Sequence, residues 1–252
     1  TQSLPAGSYD LTLRWDEVIQ GQPRPTTYTL VHQIEVVDRD PVILVHGFCG
    51  DWDTFGALEQ LLETDQSPRP VRRFLWAMPD TPGYPTGING KAELLWEFLF
   101  ACGYRNTAGA LTADLRFVTH STGGLLLRKM FVAHPPAPPF PHPKAVLLAS
   151  PNFGDQYAFS DCALNIIDTQ CLGNASSSTV RRDLTPGSQF LIDLSAAWPG
   201  VGQQMRIMNV IGTLGQCANG RGDGVVIASD AYLKGFMGAG PNTYSDVINI
   251  YV

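Results

Sequence analysis

The residues best placed to do chemistry are Phe117-Val118-Thr119-His120-Ser121-Thr122-Gly123-Gly124. A short apolar strand pattern stops at a cluster of small residues, and the helix-like Leu125-Leu126-Leu127-Arg128-Lys129-Met130-Phe131-Val132-Ala133 begins at once. A turn that sharp admits only small side chains around its central residue, and it lifts the Ser121 hydroxyl out at the start of a helix. Unpaired N–H groups and the positive end of that helix suit a developing oxyanion. The chemistry this setting serves is nucleophilic attack on an acyl carbon. The usual pattern is Gly-x-Ser-x-Gly, and here the bulkier Thr119 stands in the first glycine's place. Ser121 also admits a plainer reading, as a helix N-cap beside two packing glycines.

A second stretch strengthens the first. Val42-Ile43-Leu44-Val45-His46-Gly47-Phe48 is a buried-strand pattern ending in His-Gly, with Gly50 and a helix after it. A chain that turns back over the sheet here aims one backbone N–H at the nucleophile, so the Phe48 and Thr122 amides are the expected oxyanion hole. His46 is read as a structural imidazole that ties the loop down, in preference to a metal ligand or a catalytic base.

These groups need a scaffold that holds several strand ends together. Strand-like and helix-like stretches alternate along the chain, which predicts an α/β fold: a mostly parallel, twisted sheet with helices on both faces. Residues 9–19 and 26–37 read as an antiparallel lead-in pair. Strands follow at 41–45, 71–78, 115–119, 145–150, 206–211 and 247–252. Helices are expected from Asp53 to Thr64, with Phe55, Leu58, Leu61 and Leu62 on one face, and over 88–102, with Leu94, Leu95, Phe98 and Leu99 inward. The proline-rich 134–143 cannot be helix or central strand and reads as an extended surface connector. Residues 152–185 lack clear periodicity. A single domain over 1–252 is expected, with a lid-like insertion at about 152–200.

Composition narrows the function. Hydrophobic residues make up 44% and charged residues 16% of 252, which excludes a disordered chain. Seventeen basic against 23 acidic residues give a net charge of −6, the wrong sign for a nucleic-acid binder. No apolar run reaches the ~18 residues that span a bilayer. The five cysteines show no metal-binding pair, so no metal is expected. Cys162 and Cys171 sit nine apart in a loop-like segment, where a disulfide would brace the insertion and point to a secreted or periplasmic protein. Asn174-Ala175-Ser176 fits a glycosylation acceptor and Arg221-Gly222-Asp223 an adhesion tripeptide. Both are short enough to arise by chance.

With these motifs in place, the chain resembles the α/β-hydrolase superfamily, and within it the secreted serine lipases and esterases. Ala149-Ser150-Pro151-Asn152-Phe153-Gly154 and Leu184-Thr185-Pro186-Gly187-Ser188-Gln189-Phe190-Leu191 resemble segments of class-2-type lipases and of lecithin–cholesterol acyltransferase relatives. Gly222-Asp223-Gly224-Val225-Val226 resembles the segment that carries the triad acid, which implies that role for Asp223. The resemblance implies a carboxylic-ester hydrolase that forms an acyl-enzyme on Ser121 and needs no cofactor. Its substrate would be a small-molecule or lipid ester, met in transient contact with a lipid interface. Phe48, Trp52, Phe153 and Phe159 would give an apolar acyl pocket, though core packing explains aromatics equally well.

The fold places the triad in the order Ser, acid, His, yet His32, His46, His120, His134 and His142 all precede Asp223. None suits the role of base; His120 is expected to pack under the turn. The natural protein is therefore expected to continue past Val252 and supply the histidine, or to receive it on a separate fragment. An acyltransferase and a non-catalytic binding module on the same fold remain the alternatives.

Overall fold

The computed structural model describes residues 7–19, 22–36, 40–48, 50–51, 53–64, 69–76, 82–136, 143–155, 175–202, 204–211 and 246–251. By its internal contacts the chain divides into two compact units, Thr1–Arg39 and Asp40–Val252.

The first unit holds β1 (Gly7–Ile19) and β2 (Gln22–Val36), paired antiparallel as the alternation predicts. The strands run closer together than expected, because Gln22 and Pro23 already pair with Ile19 and Val18. A register shift between Asp16 and Val18 marks the entry to the turn.

The second unit is built on β3 (Val42–Val45), β4 (Val71–Phe74), β5 (Arg116–His120), β6 (Lys144–Leu148), β7 (Arg206–Ile211) and β8 (Asp246–Tyr251). They form one sheet in the order β4-β3-β5-β6-β7-β8, with every neighbouring pair parallel. Parallel strands need crossovers, and among the described residues these are α1 (Gly56–Thr64), α2 (Gly87–Ala101), α3 (Thr122–Ala133), α4 (Ala175–Leu184) and α5 (Gln189–Gly202). The chain first steps outward from β3 to β4 and then reverses. A right-handed connection must change faces when the step reverses, so α1 lies on one face and α2, α3 and α5 on the other.

The face under α2, α3 and α5 carries the main core. Ile43, Phe117, Leu147 and Ile207 of the strands meet Leu95, Leu99, Leu126 and Trp198 of the helices. A smaller core on the other face joins Val42, Leu44 and Val71 to Phe55, with Leu58 and Leu62 of α1 against them. Leu61 departs from the expected stripe and is 66% exposed, because a nine-residue helix on a sheet buries only the side that carries Leu58 and Leu62.

The described half of the expected lid-like insertion is built into the core. Val180, Leu184, Leu191, Leu194 and Trp198 are all buried there. Asp183 of α4 also caps α2: Thr86 makes no side-chain cap, and the Ile88 amide donates instead to Asp183 Oδ2 at 3.0 Å. Gly87, at φ +68, leaves room for that carboxylate.

Candidate active site

Ser121 sits between β5 and α3 in a backbone conformation that L residues avoid, φ 50° and ψ −126°. Such a conformation costs ~1–3 kcal/mol and persists only where neighbours over-determine it. The neighbours are identifiable. The Ser121 amide donates to the Leu148 carbonyl at 2.8 Å, and the Gly124 amide donates back to the Ser121 carbonyl at 3.0 Å. At the next strand end Ala149 repeats the device, with φ 49° and its amide on the Val210 carbonyl at 2.9 Å. Two adjacent strands thus break off in strained turns that are hydrogen-bonded across the sheet.

Glycines let the segments close up. A Cβ on Gly47 would lie 2.7 Å from Ser121 Cβ, so the loop after β3 touches the serine turn directly. A Cβ on Gly123 would lie 2.7 Å from the His46 carbonyl and closer still to that of Val45. A Cβ on Gly124 would meet Ser150 Cβ at 2.8 Å and Thr119 Oγ1 at 3.3 Å. The last contact explains the departure at Thr119: a fully buried threonine fits where a glycine is usual because the helix turn facing it carries no side chain.

His46 is 3% exposed and fully committed. Its Nδ1 donates to the Gly47 carbonyl at 2.8 Å, while Nε2 accepts the Trp76 amide at 3.1 Å. A carbonyl can only accept and an amide only donate, so these partners assign the neutral tautomer. Burial lowers the His46 pKa; the Gly47 hydrogen bond and the Asp51 charge oppose it, and the His120 charge adds to it. The imidazole is structural, as read from the sequence, and it fixes the loop that carries Phe48. Phe48 packs partly buried against the main core, and Thr122, the other expected oxyanion donor, is buried as the first residue of α3.

The remaining expectations divide. His120 is exposed, a correction to the expectation that it packs beneath the turn. Strand alternation sends Thr119 inward and turns His120 to the opposite face. His134 stacks on Trp96 at 4.5 Å and pairs with Glu93 at 2.8 Å, at the far end of α3 from Ser121. Phe153 is 45% exposed after β6. Asp223, Cys162, Cys171, Trp52, Phe159 and His142 lie outside the described residues, as does the side chain of His32. Among the described residues no group of three or more His, Cys, Asp or Glu could hold a metal, and no helix is long and apolar enough to cross a membrane.

Among the described residues two buried cations were missed in the sequence, Lys91 of α2 and Arg128 of α3. Arg128 on α3 is 2% exposed, and its guanidinium donates to Asn152 Oδ1 at 3.0 Å and lies 5.0 Å over the Trp198 ring. Burial lowers its pKa to about 9. It ties the elbow helix to the loop after β6. Its only sequence signal is the cation pair Arg128-Lys129 inside an otherwise apolar helix.

The strand order, the reversal of crossover direction and a strained serine turn after β5 together define an α/β-hydrolase fold. Solved structures agree. The chain is similar to the mature form of a Bacillus licheniformis lipase, at 14% identity over 96% of this chain and 89% of the other, with a TM-score of 0.53. It is also similar to phospholipase PlaB from Legionella pneumophila, at 20% identity over 69% of this chain, with a TM-score of 0.51. The chain spans 39% of that phospholipase's length. No protein-family model and no curated protein matches the chain.

Proposed function

We propose that the protein is a serine carboxylic-ester hydrolase of the esterase or lipase type. One observation carries this reading: Ser121 is held at φ 50° between β5 and α3 with Gly47 packed against it. A serine serving only as a helix cap adopts extended backbone and needs no strain. The lipase and phospholipase among the similar structures support the same chemistry.

In this mechanism Ser121 Oγ attacks the acyl carbon of the ester while a histidine takes its proton. The Phe48 and Thr122 amides hold the oxyanion. The tetrahedral adduct expels the alcohol, which receives that proton, and leaves an acyl-enzyme. Water then attacks the acyl-enzyme, releasing the acid and restoring Ser121. Asp223 is the proposed acid that orients the imidazole, on the strength of its Gly-Asp-Gly-Val-Val setting. His46 is excluded as base by its committed partners, and His134 by its place at the far end of α3 from Ser121. The substrate is a small-molecule or lipid ester. Secretion and a Cys162–Cys171 disulfide complete the proposal.

A fluorophosphonate probe tests it. Intact mass should show one adduct, mapped to Ser121 and missing from Ser121→Ala. A protein that stays unlabelled at Ser121 is a binding module rather than a hydrolase.

A further inference from the structure

The core beside α3 holds hydrogen-bond donors that nothing accepts. Arg128 Nε, Trp198 Nε1 and Ser150 Oγ are all buried without a partner. They come from three elements that meet: α3, α5 and the loop after β6. The Arg128 guanidinium lies 5.0 Å over the Trp198 ring. Ser150 Oγ rests against the bare Gly124, which precedes Arg128 by four residues and so shares its face of α3. Arg128 is 2%, Trp198 1% and Ser150 0% exposed. Buried polar groups are normally satisfied, and each exception needs a reason.

Arg128 also carries a charge that no carboxylate among the described residues balances. Arg73, Arg105 and Arg116 each pair with an acid. Arg128 instead donates to two neutral oxygens of Asn152, Oδ1 at 3.0 Å and the carbonyl at 3.5 Å. The indole face attracts its charge without neutralising it. Burial alone lowers its pKa, to about 9, with no acid opposing the shift, so the guanidinium is still protonated at neutral pH. A buried charge without a counter-charge is among the costliest groups a core can hold.

These features select one kind of occupant. A guanidinium and an indole N–H only donate, so the occupant must accept. Its place inside the core demands something small, and one unbalanced cation demands a single negative charge. Water accepts but brings no charge, and a polyatomic acid needs room for more atoms. We propose that Arg128 Nε, Trp198 Nε1 and Ser150 Oγ bind one halide ion, chloride in ordinary solution. The ion balances Arg128 and joins α3 to α5 and to the loop after β6. Arg128 lies seven residues along α3 from Ser121, ~10 Å at 1.5 Å per residue, so this site is separate from the serine and does not rest on its role.

The test uses the whole protein, with sodium chloride, bromide and gluconate compared at one ionic strength. Crystals grown in bromide should show an anomalous-scattering peak within hydrogen-bond reach of Arg128 Nε and Trp198 Nε1. In solution the midpoint of urea unfolding should rise saturably as chloride replaces gluconate. Arg128→Met keeps the stem and should abolish that rise. Trp198→Phe keeps a ring, loses the N–H and should weaken chloride by up to about tenfold. The proposal falls if the bromide crystals show no anomalous peak at Arg128. It also falls if the midpoint climbs without saturating, or climbs equally in Arg128→Met, since chloride then acts as a general salt. Should Arg128→Met fail to fold, the bromide peak and the Trp198→Phe titration decide alone. Ester turnover is not read, so either outcome leaves the Ser121 assignment where it stands.

Discussion

His46 and Trp76 are joined three ways: the Trp76 amide donates to His46 Nε2 at 3.1 Å, the indole Nε1 donates to the His46 carbonyl at 3.0 Å, and the rings stack 5.2 Å apart. The clamp locks the ends of β3 and β4 and aims the Gly47-Phe48 peptide. It also links stability to pH. Burial holds the folded-state pKa of His46 below 6.5, so the folded protein takes up this proton less readily than the unfolded chain. The stability His46 contributes is complete above pH ~6.5 and is lost as pH falls through the folded pKa. Urea melts at pH ~7.5 and ~5.5 should show a larger loss for wild type than for His46→Asn, by at most ~1.4 kcal/mol per pH unit. Equal losses would show that the imidazole does not resist protonation.

Strain at Ser121 separates stability from activity. Ser121→Ala keeps the φ penalty and should melt like wild type, while ester turnover drops by ~10³-fold or more. Ser121→Gly should lose turnover to the same degree yet gain roughly 1 kcal/mol, because glycine adopts φ 50° without a Cβ penalty. The check is a p-nitrophenyl ester assay paired with thermal melts of wild type and both variants. A Ser121→Gly protein less stable than Ser121→Ala would mean that the turn is not strained.

Glycines offer a graded test of how tightly the site is closed. Gly123→Ala drives a methyl into the Val45 and His46 carbonyls, which are backbone and cannot swing away, and should cost ~2 kcal/mol or more. Gly47→Ala meets Ser121 Cβ at 2.7 Å and the His120 carbonyl at 3.0 Å. It should cut kcat more than it cuts stability. Gly56→Ala in α1 meets nothing within 4 Å and should stabilise by ~0.5–1 kcal/mol through helix propensity. Denaturant titration of the three variants orders them.

The fold and the serine turn were legible because their signals are local. A β-branched run into Thr119-His120-Ser121-Thr122-Gly123-Gly124 states a strand, a turn and a helix within a few residues. All six strands of the sheet were placed to within a few residues for the same reason. What stayed hidden depends on residues far apart in the chain. Trp76 is 30 residues from His46, and nothing between them says that β3 and β4 are neighbours. Asp183 reaches Ile88 across 95 residues. Helix α4 is polar, and its buried Val180 and Leu184 are too few to show a period. Thr119 read as a defect until the bare Gly124 opposite it was known.

Arg128 sets apart charge from volume. Its guanidinium is desolvated, with its pKa lowered to about 9, and it gives Asn152 a hydrogen bond and Trp198 a cationic face. A buried charge is costly to hold, and well-packed apolar replacements of similar volume are often neutral or better. Arg128→Met keeps the stem and the contact with Trp198 and should fall within ~1 kcal/mol of wild type. Arg128→Ala opens a cavity between α3 and α5 and should cost ~3 kcal/mol or more. The Asn152 carbonyls lose a donor in both, so both should loosen the loop after β6, read as faster amide exchange at Phe153 and Gly154. If Arg128→Met proved as damaging as Arg128→Ala, the guanidinium itself would be what holds α3 to that loop.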